Sequence, residues 1–349
     1  MLKFNTLTSL APQWLAFMPT EHAFAPYVRA LGKGKLGSRS LSQDEARDAM
    51  SMILQQQVEP EQLGAFLMLL RVKEETPAEL AGFVEAVRHF HNYSASLVSG
   101  MTVDIDWSSY AGKKRHLPWF LLSALTLANH GVKVFMHGAK GHTQGRIYSE
   151  DVLQQLGLPV AHNWQQVENQ LNDTHFSFMS LEHLSPPLHH IISLRAMFGL
   201  RSPVHTLTRL LNPLAAKHTV DGVFHPAYGP LHQQTAILLK HPRSLTIRGD
   251  GGEAEVRPDS ECELQWVDAQ TSTSQIWQRQ LSKRSTEAQQ LNPKRLAQLW
   301  RGPTSDTYGE AAVISTLASC LVLLGKAEEQ ADATQLAISW WESRNRLLI

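Results

Sequence analysis

The stretch from Thr102 to Asn129, TVDIDWSSYAGKKRHLPWFLLSALTLAN, constrains the fold more than any other part of the chain. A short β-branched run, Thr102–Ile105, gives way to a loop of small residues, and a long apolar helix begins at about Leu117. That order is the one in which α/β proteins present a ligand. The loop lies at the carboxyl end of a strand, and the following helix offers free N–H groups and a partial positive charge. This loop carries Lys113, Lys114, Arg115 and His116 in succession, so a polyanion is the expected guest.

The distribution of charge sharpens that expectation. The formal net charge is zero, which argues against a chain that is basic throughout. Yet Trp107 to Ser149 holds six Lys and Arg and no acid. Leu184 to Val220 adds Arg195, Arg201, Arg209 and Lys217, again with no acid. Asp250 to Glu263 is the reverse, with six acidic residues against Arg257. Two acid-free stretches brought together in space would make an anion site.

Other classes recede. Two cysteines, Cys262 and Cys320, in 349 residues make no disulfide framework and suit a reducing compartment. No uncharged apolar run is long enough for a bilayer, so no membrane partner is expected. The first residues, MLKFNTLTSLAPQWLAFM, lack a strong basic region and an A-x-A site, and read as an arm of a cytoplasmic protein. There is no P-loop, no G-x-S-x-G and no His/Cys spacing suited to zinc, and no catalytic residue is assigned.

In chain order, residues 23–95 read as helices only. Phe24–Gly32 runs into the basic turn GKGKLGSRS. Ser42 and Glu45 form a capping box for a second helix, Leu63–Val72 is a third, and Thr76-Pro77 opens a fourth. After Thr102, strands alternate with helices: Val132–Met136, Phe176–Phe178, Leu245–Ile247 and Glu261–Val267 read as strands. The expected architecture is α/β, with a helical N-terminal domain over 1–95 and a larger α/β domain over 96–349 around a mixed or parallel sheet. Gln270–Glu287 is polar and reads as a flexible insertion.

Arg195–Pro213, RAMFGLRSPVHTLTRLLNP, resembles the anthranilate phosphoribosyltransferase family, which carries R-x-x-L-G-x-R-T-I-F-N-x-L-G-P-L-x-N-P there. Arg195, Gly199, Arg201, Leu207, Leu210, Asn212 and Pro213 match. Residues 64–87, residues 134–157, the pair His225-Pro226 and Arg248–Val256 are similar to further landmarks in the family's order, so the resemblance covers about residues 28–340. It implies the fold of that family and of the nucleoside phosphorylases, with helices from about 186–213 joining the N-terminal domain in space. His137, Gly138 and Arg195 match positions that face the family's aromatic acceptor.

The departures bear on chemistry. The family's G-T-G-G-D diphosphate loop corresponds to Asp106, Trp107, Ser108, Ser109 and Tyr110, with no glycine until Gly112. The lysine, asparagine and arginine of its second loop are Met136, Ala139 and Lys140. Its Asp-Glu metal pair becomes Ala254-Glu255, with Glu253 adjacent. These changes weigh against binding of phosphoribosyl diphosphate; Mg²⁺, the one cofactor to consider, would need Glu253 and Glu255.

The same departures resemble the YbiB-like paralogue branch, with its own loop type and a basic Gly-Lys turn. That resemblance implies a non-catalytic homodimer that binds DNA or RNA without sequence preference. The phosphate-binding candidates are Lys33, Lys35, Arg39, Lys113, Lys114, Arg115, Lys140, Arg146 and Arg209, with Trp107 and Tyr110 as residues that could stack on bases. The alternative is a Mg²⁺-dependent phosphoribosyl or glycosyl transferase with an unusual acceptor.

Overall fold

The computed structural model describes residues 21–93, 101–141, 143–285, 291–302 and 304–349; the N-terminal arm expected from sequence lies outside them. Four helices come first: α1 (Ala25–Gly32), α2 (Gln43–Leu54), α3 (Pro60–Lys73) and α4 (Pro77–His91). Both sequence-derived caps form. Ser42 accepts the amide of Glu45, Thr76 accepts that of Glu79, and each glutamate returns the bond to its cap residue. Glu79 also accepts the amide of Leu41 at 2.8 Å, tying α4 to the approach to α2. The two helices cross closely because position 82 is glycine: a Cβ there would sit 2.2 Å from the Gln43 carbonyl oxygen.

The remainder alternates: β1 (Ile105–Ser109), α5 (Phe120–Asn129), β2 (Val134–Gly138), α6 (Ser149–Gln155), α7 (Trp164–Thr174), β3 (Phe176–Ser180), α8 (Leu181–Leu184), α9 (Pro186–Ser193), α10 (Arg195–Phe198), α11 (Val204–Leu207), β4 (His218–Val223), α12 (Tyr228–Leu238), β5 (Arg243–Arg248), β6 (Cys262–Asp268), β7 (Thr271–Trp277), α13 (Lys294–Arg301), α14 (Thr307–Leu323) and α15 (Gln330–Glu342). The strands form one sheet in the order β3-β2-β1-β4-β5-β6-β7. The first five are parallel, and β6 and β7 are antiparallel additions.

Two apolar clusters result. One fills the sheet side against α5, α14 and α15. The other joins α1–α4 to Leu184, Leu188, Ile191, Val204 and Leu207, so the helices after β3 pack into the N-terminal bundle. Arg88 of α4 stitches the bundle to the sheet domain, its Nη2 lying 2.7 Å from Nε2 of His241, just before β5.

Two expectations change. The strand expected at Thr102–Ile105 runs from Ile105 to Ser109, so Asp106, Trp107, Ser108 and Ser109 belong to β1 and not to a loop. Pairing with β2 on one side and β4 on the other outweighs the weak strand preference of the serines. Residues 271–277 of the expected insertion are β7, an edge strand whose side chains are exposed up to Ile276. A polar edge gives no alternating signal and resists pairing with other chains. Residues 286–287 of that segment lie outside the described ones.

Candidate functional site

The loop after β1 turns its amides onto a carboxylate of this chain. Ala111 and Gly112 donate their N–H groups to Glu253 Oε1 at 2.7 and 2.5 Å. Gly112 has φ of 68°, and a Cβ there would meet the Tyr148 ring at 2.8 Å, so this glycine is fixed by conformation and by space. Lys113 follows and points inward. Its Nζ lies 2.8 Å from Glu255 Oε1 and 3.7 Å from Asp250. Glu255 Oε2 accepts the Phe120 amide at 2.9 Å, at the N-terminus of α5. The acidic segment after β5 thus fills the anion positions that the loop and the helix terminus offer. Burial raises the pKa of both glutamates above the usual carboxylate range, against the pull of the Gly112 amide on Glu253 and of Lys113 on Glu255.

Several sequence assignments change with this geometry. Lys113 is fully buried in an ion pair and is not part of an exposed patch; Lys114 and Arg115 are exposed beside it. Trp107 and Tyr110 are buried and cannot stack on a ligand's bases. Trp107 lies against Phe120, with ring centroids 6.1 Å apart, and Tyr110 Oη is 2.7 Å from His137 Nδ1. His137 Nε2 is 3.2 Å from Asp106 Oδ2, so this histidine sits in an enclosed polar chain under the loop. Gly138 serves packing, since a Cβ there would stand 2.1 Å from the Ser109 carbonyl oxygen. Glu253 and Glu255, the Mg²⁺ candidates, are engaged by the chain itself. One oxygen of Glu253 holds two amides, both oxygens of Glu255 are taken, and only Glu253 Oε2 lacks a partner among the described residues.

The cations that do converge are arginines. Arg146, Arg195 and Arg209 stand near enough to Arg201 that, after burial, their repulsion helps lower its pKa to about 10. Arg209 is lowered as well, by burial first. A guanidinium nonetheless keeps its proton at neutral pH. The hydrogen bonds of Arg146, Arg201 and Arg209 run to neutral oxygens. Arg146 Nη1 donates to the carbonyls of Ala111, Gly112 and Gly251 at 2.9–3.0 Å, clamping the two loops together. Arg209 donates to the His205 carbonyl at 2.7 Å, and Arg201 to the Thr143 hydroxyl, which Arg195 also reaches.

Arg201 and Arg209 line a cleft of about 650 Å³ with Arg71, Phe224, His225 and Tyr228. Phe224 and Gly251 also border a second depression of about 350 Å³, lined by Lys114, Arg115, Arg146, Arg257 and Arg284. The first holds three arginines against Glu74 and Glu75, the second five cations against Asp250 and Asp259. Phe224, 58% exposed, stands at the junction. Lys33, Lys35 and Arg39 are exposed but line neither depression, and Arg39 is bound at 2.6 Å to Glu45, whose pKa it pulls down to about 2. Lys140 is neutralised at 2.6 Å by Glu150. Arg71, Phe224, His232, Arg257 and Arg284 were not legible as site residues, because no local pattern says which side of the fold they face.

Comparison with known proteins places this arrangement. Residues 25–90 match the helical bundle domain of a glycosyl transferase family, and residues 120–343 match its a/b domain. The Escherichia coli protein YbiB is 28% identical over 69% of this chain and 75% of its own length. Anthranilate phosphoribosyltransferases of Polynucleobacter necessarius and Gluconobacter oxydans are 28% and 32% identical over 62% and 57% of this chain; the matched stretches span 63% and 54% of those enzymes. The structure of the Thermus thermophilus enzyme superposes with a TM-score of 0.75 over 91% of this chain and 94% of its own, at 22% identity. The Saccharomyces cerevisiae enzyme in complex with PRPP and Mg gives 0.74 over 94% and 96%, at 18%. No described helix is long and apolar enough to cross a membrane. With both domain models matched in order across most of its length, the chain belongs to this glycosyl transferase family and has the anthranilate phosphoribosyltransferase fold.

Proposed function

We propose that this chain is a non-catalytic member of its family that binds single-stranded nucleic acid, without sequence preference, along the arginine-lined cleft. The observation that carries the reading is the cluster of Arg146, Arg201 and Arg209, whose guanidinium groups hydrogen-bond carbonyl and hydroxyl oxygens and not carboxylates, with Glu253 and Asp221 near enough to offset part of the charge of Arg209. The second depression extends the positive surface through Lys114, Arg115, Arg257 and Arg284, and Phe224 gives the path an exposed aromatic face. The donor loop is degraded in the same reading. Glu253 and Glu255 occupy the amides, lysine and helix terminus that a diphosphate would need.

A homodimer fits as well. Met197 and Leu200 are exposed next to α3, where Gly64 packs on Phe198, and a second copy would cover them. Fluorescence anisotropy of a labelled single strand across a salt series tests the proposal. Binding that weakens steeply with salt supports it, and absence of binding at low salt refutes it. The relatives' chemistry is the competing reading. Mg²⁺-dependent heat on adding phosphoribosyl diphosphate would establish that alternative.

A further inference from the structure

Among the described residues the cleft lining leaves several buried polar atoms unanswered, Ser202 Oγ among them, and two others bear most on the ligand. Asp221 Oδ1 lies 2.7 Å from His232 Nδ1, and its Oδ2 accepts the Thr246 hydroxyl at 3.2 Å. A carboxylate accepts, so Nδ1 carries a hydrogen and Nε2 is the ring atom left to meet a ligand. That Nε2 is buried and without a partner among the described residues, on a ring that lines the cleft. In the lining of the same cleft, Glu75 Oε1 accepts the Thr206 hydroxyl at 2.8 Å while its buried Oε2 has no partner among the described residues. Buried polar atoms left unmatched are costly, so the ligand that fills this space brings donors as well as negative charge.

Resting on the nucleic-acid reading above, we propose that the strand held in this cleft is RNA, and that its 2′-hydroxyls, donors and acceptors both, bond His232 Nε2 and donate to Glu75 Oε2 while its phosphates lie on Arg201 and Arg209. A phosphodiester offers only acceptors, and a deoxyribose offers none of the donors required. The ribose hydroxyl is a donor and lies between successive phosphates, so one backbone supplies both partners that the cleft lacks. Asp221 fixes the imidazole, which makes the contact a feature of the fold and not of a mobile side chain. His232 has its ring at the wall of the cleft, 6.5 Å from that of Tyr228, so the hydroxyl is read beside an aromatic surface.

The test compares oligouridylate with its deoxy and 2′-O-methyl counterparts by anisotropy on the wild-type chain, and then on His232→Phe. The hydroxyl strand binds about tenfold more tightly than either counterpart, as expected for one hydrogen bond to a buried partner. His232→Phe brings the RNA-to-DNA ratio towards one. Equal affinity for RNA and DNA on the wild type overturns the inference and leaves the nucleic-acid reading intact. So does 2′-O-methyl RNA binding as tightly as RNA, which would point to helix shape and not to a donor. If none of the three strands binds at low salt, the nucleic-acid reading falls and this inference falls with it.

Discussion

Lys113 Nζ lies 2.8 Å from Glu255 Oε1, and both side chains are fully enclosed. A residue that reads as the centre of a basic loop is therefore internal to the protein, bonded to the segment that follows β5. Removing one member of a buried pair leaves the other charge unmatched, at a cost of about 3–5 kcal/mol. Lys113→Ala lowers the stability measured by urea unfolding by that order and changes the salt slope of oligonucleotide binding little. Lys114→Ala with Arg115→Ala does the opposite, flattening the slope by up to about one unit per lost phosphate contact while stability holds.

The buried glutamates carry a pH signature. Glu253 ionises in the unfolded chain at the ordinary value of 4.5 and higher in the folded one, because burial penalises its charge. Between those values the native state holds the extra proton, so this contribution is complete below the unfolded pKa and is lost as pH rises through the folded one. Stability by urea unfolding falls less over that window in Glu253→Gln than in the wild type. A parallel fall in both proteins refutes the assignment.

How far the sequence foretold this can be seen residue by residue. The caps at Ser42 and Thr76 are local devices, decided within four residues, and both form as written. Of the five parallel strands, β3 and β5 lie where the sequence places them, while β1 and β2 are displaced. β2 runs Val134–Gly138 where Val132–Met136 was expected, because strand ends depend on neighbours far away in sequence. β4 was missed: its Thr219 and Asp221 are polar but buried between two strands, so no alternating pattern marks it. The site was legible only as charge. That Lys113 turns inward follows from Glu255, 142 residues later, and nothing near Lys113 records it.

Phe224 gives a separate handle on strandedness. A stacked base contributes roughly 1–3 kcal/mol, so Phe224→Ala weakens single-strand binding by about fivefold or more. Duplex binding, in which bases are already stacked on one another, changes far less. Equal losses for single strand and duplex contradict the stacking role.

The dimer proposal is tested through the exposed side chains next to α3. Met197→Glu with Leu200→Glu places charge where a second copy would pack and shifts the sedimentation of a dimer to that of a monomer. An unchanged sedimentation coefficient removes these residues from the interface.

The most direct test of the central claim is the affinity of a labelled single strand, by anisotropy over a salt series, for wild type, Arg201→Ala/Arg209→Ala and Lys33→Ala/Lys35→Ala. The cleft predicts a large loss and a shallower salt slope in the arginine variant, and a small change in the lysine variant, whose residues line neither depression. Full affinity in the arginine variant, or a larger loss in the lysine variant, would contradict the account.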